Sequence, residues 1–77
     1  MNLTIKYFGM LAEATQCQEE EFLFSQESVS DLLKMLFVKY PELEEKDFQV
    51  AQNNQIVSKD SKIETTEIAL LPPFAGG

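Results

Sequence analysis

The chain has 77 residues, enough for one domain and too few for two. Six lysines and no arginine stand against 13 acidic residues, giving a formal net charge of −7. With no histidine, a single cysteine (Cys17) and few cations, the composition excludes imidazole chemistry, an internal disulfide, a cysteine-ligated zinc site and a Cys-x-x-Cys pair, and it disfavours nucleic-acid binding, which needs clustered cations.

Residues 2–8 alternate, with Leu3, Ile5 and Tyr7 on one side and Thr4, Lys6 and Phe8 on the other, which predicts a strand ended by Gly9. Residues 10–15 have helix-forming composition and suffice for one or two turns. Residues 19–24 read as a second strand, polar at first and closing on Phe22, Leu23 and Phe24. The clearest helix covers residues 28–40. Ser28 is a good N-cap, Asp31 gives a capping-box-like arrangement, and Val29, Leu32, Leu33, Leu36 and Tyr40 form one apolar stripe. Pro41 stops it, and residues 42–47 read as a charged connection. Residues 48–52 predict a third strand, Asn53-Asn54 a tight turn, Ile56-Val57 a short strand, and residues 67–71 the last one.

Strand, strand, helix, then strands is the order of an α+β domain of the β-grasp, ubiquitin-like kind: a mixed sheet with one main helix packed on one face. The expected division is a domain over residues 1–71 and an extended tail over 72–77. In such a fold the first and last strands are parallel neighbours, so their C-terminal ends lie together. A domain this small buries only about 60% of its unfolded surface, which argues for a carrier, a binding module or a subunit over a self-sufficient enzyme. No apolar run approaches the roughly 18–20 residues of a membrane span, and no signal-peptide pattern opens the chain. The expectation is a cytoplasmic protein that binds neither membrane nor nucleic acid.

Two of the three glycines are the final residues of Pro72-Pro73-Phe74-Ala75-Gly76-Gly77. The prolines cannot donate backbone hydrogen bonds, so they stop the last strand and favour an extended chain beyond it. Phe74 is suited to anchor the tail on a partner, and Gly76 and Gly77 leave the terminal carbonyl unobstructed. Activation of that carboxylate by a nucleotide is the chemistry that needs such a slender end. The chain has no phosphate-binding glycine loop, so ATP must be bound by another protein.

Lys6-Tyr7-Phe8-Gly9 with Leu11-Ala12-Glu13, then Val50, Asn53 and Val57, then the run from Ile68 to Gly77 resemble the small, sulfur-carrier subunit of molybdopterin synthase, the MoaD-type family, essentially end to end. The terminal block is the specific part. The chain departs from the family at Glu64-Thr65-Thr66-Glu67, where an Asp-Gly-Asp-like turn is common.

The resemblance implies a non-catalytic subunit that acts with a large, catalytic subunit in a heterotetramer. An E1-like adenylyltransferase would use ATP to adenylate the Gly77 carboxylate, and a sulfur donor protein would convert it to a thiocarboxylate. The sulfur would then pass to cyclic pyranopterin monophosphate on the large subunit. No stably bound cofactor and no metal are expected. The alternatives are a carrier for thiamin thiazole synthesis, a ubiquitin-like protein modifier and a plain interaction domain; Pro72-Pro73 and the longer chain favour the first reading over the thiamin carrier.

Phe8 and Leu71 point away from the helix-covered face at the tail-proximal ends of neighbouring strands, which predicts a docking surface. The resemblance adds Ile56 to it. The competing expectation is that residues 9–18 cover them. Cys17 reads as a structural thiol, since no cation neighbours it in sequence. Ser30-Asp31-Leu32 has the reverse of the order a phosphopantetheine serine requires, and Glu42, Glu44, Glu45 and the run Glu19-Glu20-Glu21 read as solvated charge.

Overall fold

The computed structural model describes residues 2–25 and 28–73. Its elements are β1 (Asn2–Tyr7), α1 (Met10–Thr15), β2 (Glu19–Leu23), α2 (Val29–Lys39), α3 (Pro41–Glu44), β3 (Gln49–Gln52), β4 (Gln55–Val57) and β5 (Glu67–Leu71). The five strands form one mixed sheet in the order β2-β1-β5-β3-β4. β1 and β5 are parallel neighbours, as expected, with Tyr7 opposite Leu70; the other pairs are antiparallel. This is the β-grasp, ubiquitin-like fold.

Period-two alternation decides which side of each strand is buried. Leu3, Ile5 and Tyr7 of β1, Val50 of β3 and Ile68 and Leu70 of β5 face the core, where they meet Val29, Leu32, Leu33 and Leu36 of α2. The Ser28 Oγ accepts from the Asp31 N–H at 3.1 Å and caps α2. Asp31 Oδ2 in turn accepts from the Ser28 hydroxyl at 2.9 Å, so its side chain supports the cap.

Pro41 ends α2 and also opens α3. Proline lacks only a donor that a first helical turn leaves unpaired, and its φ suits that position. The expected charged connection over residues 42–47 therefore contains a short helix, pinned by a fully buried Leu43. Strand ends shift slightly: Phe24 is buried just beyond β2, and Phe48 precedes β3 and packs edge-on against Phe37. Asn53 and Asn54, at φ 52° and 63°, turn β3 into β4, a geometry that asparagine tolerates.

Two polar groups on the core side are fully partnered. Gln52 faces inward, its Nε2 donating to the Lys62 carbonyl at 2.7 Å and its Oε1 accepting from the Glu64 N–H at 2.9 Å. This one side chain ties the segment before β5 to β3. Glu20 corrects the reading of the acidic run as solvated. Its side chain is only 18% exposed and accepts from the Tyr7 hydroxyl, the Tyr40 hydroxyl and Lys39 Nζ. Among the described residues no helix is long and apolar enough to cross a membrane.

Candidate docking face and tail root

The sheet face turned away from α2 carries the residues between the buried ones. The strand registers place Lys6 opposite Ala69, Ala69 opposite Ala51 and Ala51 opposite Ile56, a single row across four strands. Two alanines in the middle of that row leave a depression of about 540 Å³. Phe8, Ile56 and Leu71 supply its apolar walls, and Lys6, Glu67 and Asn53 are among its polar lining.

All three residues expected at the docking surface therefore line one concavity. Phe8 is 45% and Ile56 54% exposed, while Leu71 is half-buried. α1 does not cover them: it sends Leu11 into the core and leaves Phe8 at the surface. Large apolar side chains are thus gathered on a face that no described element covers. Lys6 Nζ lies 3.4 Å from Glu67 Oε2, with both side chains substantially exposed, so its charge is answered within the chain.

The tail root adjoins this face. The Phe8 N–H donates to the Leu70 carbonyl at 3.1 Å, extending the parallel pairing one residue past β1. Gly9 follows at φ 59° and ψ −133°, and Pro72, the first residue after β5, packs against it. Pro72 and Pro73 are half-buried. The remaining expected site residues, Phe74, Ala75, Gly76 and Gly77, lie outside the described residues.

Residues 5–77 match the ThiS family. The chain belongs to that family. Its members are ubiquitin-like sulfur carriers of the ThiS/MoaD type, which work with catalytic subunits and E1-like enzymes.

Solved structures give the same fold. A Pyrococcus furiosus protein provisionally named molybdopterin converting factor, subunit 1, superposes with a TM-score of 0.85 at 21% identity, over 95% of this ThiS-family chain and 98% of its own. SAMP1 from Haloferax volcanii gives 0.80 at 24% identity over 100% of both chains. The small archaeal modifier protein 1 of Methanosarcina acetivorans gives 0.76 at 25% identity, covering 99% of this chain and 96% of that one.

Sequence reasoning put Lys6 on the same side as Phe8 but did not count it, Ala69 or Ala51 among the docking residues, and it gave Gly9 no part in the tail root. The alternation that assigns Phe8 and Leu71 outward assigns the first three to the same face, so their signal was present. Gly9 stood in the sequence as a strand terminator, and only the return of β5 beside β1 shows its second contact. Cys17 is half-buried, and its thiol donates to Thr15 Oγ1 at 3.7 Å, in keeping with a structural role.

Proposed function

We propose that this chain is the sulfur-carrier subunit of a molybdopterin synthase. The observation that carries the reading is the position of the apolar Phe8–Ile56–Leu71 concavity beside the point where the chain leaves β5. A partner that docks on this face receives the C-terminal segment next to it. Membership of the ThiS family supports carriage of sulfur, and Pro72-Pro73 favours the molybdopterin pathway over thiamin thiazole synthesis.

In this reading an E1-like adenylyltransferase joins the Gly77 carboxylate to AMP and releases pyrophosphate. Sulfide delivered by a sulfur donor protein then attacks the acyl carbon, displaces AMP and leaves a thiocarboxylate. The charged carrier docks its open face on the large subunit, whose active site takes the sulfur to cyclic pyranopterin monophosphate. Two such cycles supply the two sulfurs of the dithiolene. Cations for the anionic pterin come from the large subunit, since this chain has no arginine and Lys6 is paired with Glu67.

The test is reaction of the thiocarboxylated chain, in excess of two per pterin, with the large subunit and cyclic pyranopterin monophosphate. The expected result is molybdopterin and a regenerated Gly77 carboxylate, with no product from a chain lacking Gly77. Likeness to two small archaeal modifier proteins favours a second reading, a protein modifier. Gly77 joined to lysines of other proteins, without sulfur transfer, would replace the first reading with that one.

A further inference from the structure

We propose that Gly9 is a positioning residue that sets the direction in which the chain leaves the sheet at Pro72. Two independent observations require glycine there. Its φ of 59° with ψ −133° is a backbone state that L side chains rarely adopt. A Cβ at this position would also stand 2.8 Å from Pro72 Cγ, with Cδ at 3.8 Å and Cβ at 4.0 Å. A separation of 2.8 Å is shorter than carbon atoms tolerate, and Cγ belongs to a ring closed on its own backbone. It has no freedom beyond the ring pucker, so a side chain at position 9 displaces the Pro72 backbone.

The surrounding contacts turn that displacement into a change of direction. The Leu70 carbonyl is held by the Phe8 N–H at 3.1 Å, so β5 is fixed against β1 two residues before Pro72. On the other side, Gly9 is anchored as the first residue of the turn into α1, its carbonyl accepting from the Ala12 N–H at 3.1 Å. Between these fixed points, Pro72 has one place to yield, which is the path of the chain that follows it. Proline at 72 makes the direction persist, because its φ is locked. The proposal rests on the carrier reading, in which a C-terminal carboxylate a few residues on must enter a partner's active site. A misplacement of about 1 Å in such a reaction costs on the order of 100-fold in rate.

The test is ATP–pyrophosphate exchange with the cognate E1-like adenylyltransferase, titrated in carrier to separate kcat from KM, with Tm measured for each chain. Exchange reads formation of the Gly77 acyl adenylate and its reversal, with ATP and pyrophosphate as the only co-reactants. Gly9→Ala is expected to lower kcat on the order of 100-fold with KM unchanged, because the docking face is intact. It also lowers Tm through its strained φ. Adding Pro72→Ala removes Cγ, and kcat should return to that of Pro72→Ala alone while Tm stays low. A merely structural role predicts the opposite, with activity and Tm moving together.

If Gly9→Ala fails to fold, Pro72→Ala alone decides, since it keeps the native backbone at Gly9: kcat falls with KM unchanged, by much less than the loss on the order of 100-fold expected of Gly9→Ala, and an unchanged kcat overturns the proposal. A Gly9→Ala chain as active as wild type per folded molecule, or a double variant no better than Gly9→Ala, also overturns it. Wild-type exchange with indifferent variants defeats this inference alone, whereas a wild-type chain without exchange defeats the carrier reading and this inference with it.

Discussion

Tyr7 and Tyr40 donate to the same oxygen of one carboxylate, Oε1 of Glu20, at 2.8 and 2.6 Å. Their rings meet edge to face with centroids 6.2 Å apart, and Lys39 closes the other oxygen at 2.9 Å. Strand β1, strand β2 and the end of α2 are thereby joined through one side chain. Burial pushes the Glu20 carboxyl upward, but hydrogen bonds from Tyr40, Lys39 and Tyr7 outweigh it and hold the group below its ordinary value of 4.5.

A carboxyl whose pKa is lowered by folding adds stability that is complete above its unfolded pKa and lost as pH falls through the folded one. The Tm difference between wild type and Glu20→Gln should therefore be largest above about pH 4.5 and shrink on acidification. Glu20→Ala also leaves the buried Tyr7 hydroxyl without its acceptor and should cost about 1–3 kcal/mol in urea unfolding. Glu20→Gln keeps an acceptor and should cost less.

The same cluster predicts alkaline behaviour. Burial first, then the Glu20 contact, raises the pKa of both Tyr7 and Tyr40 well above the ordinary 10.0. Their contribution is complete below pH 10 and declines as pH rises further, because the unfolded chain loses those protons first. These are the chain's two tyrosines, so tyrosinate absorbance should appear in one cooperative step that coincides with loss of the helix signal. Gradual ionisation of a still-folded chain would contradict this.

On the open face, Phe8→Ala and Ile56→Ala remove side chains that are 45% and 54% exposed. Each should change folding stability by less than about 0.5 kcal/mol while weakening the docking partner by about 1–2 kcal/mol or more. Calorimetric titration of the proposed large subunit or of the proposed E1-like enzyme, paired with thermal unfolding, checks both halves.

Gln52→Leu should destabilise the fold by about 1–3 kcal/mol although it adds apolar volume to a buried position. It leaves the Lys62 carbonyl and the Glu64 N–H without the partners they now have. Amide exchange at Glu64 should accelerate, while exchange in α2 follows only the global loss.

How much of this was legible in the sequence follows from how local each signal is. Ser28, the stripe from Val29 to Leu36 and the Asn53-Asn54 turn are read within a few residues, and the structure places them as expected. The outward direction of Phe8 and Leu71 needs only the two-residue period of a strand. Leu43 was hidden because one apolar residue among acids carries no period. Glu20 was hidden among two other glutamates because its donors come from Tyr7, 13 residues before it, and from Lys39 and Tyr40, 19 and 20 residues after it. The parallel return of β5 beside β1 followed from the order of elements, but the contact of Pro72 with Gly9 depends on the exact register of the two strands, which no local pattern encodes.

The central claim, that this chain carries sulfur on its C-terminus, is tested most directly by mass spectrometry of the C-terminal peptide. The chain is first incubated with its E1-like enzyme, ATP and a sulfide source. Because oxidation of a methionine or of Cys17 nearly matches an oxygen-to-sulfur exchange in mass, the change must be localised to the last residues and confirmed by thiol-selective labelling. An ATP-dependent thiocarboxylate on Gly77 is the expected result. Gly77 that is activated and then recovered only on lysines of other proteins, or never activated at all, would contradict it.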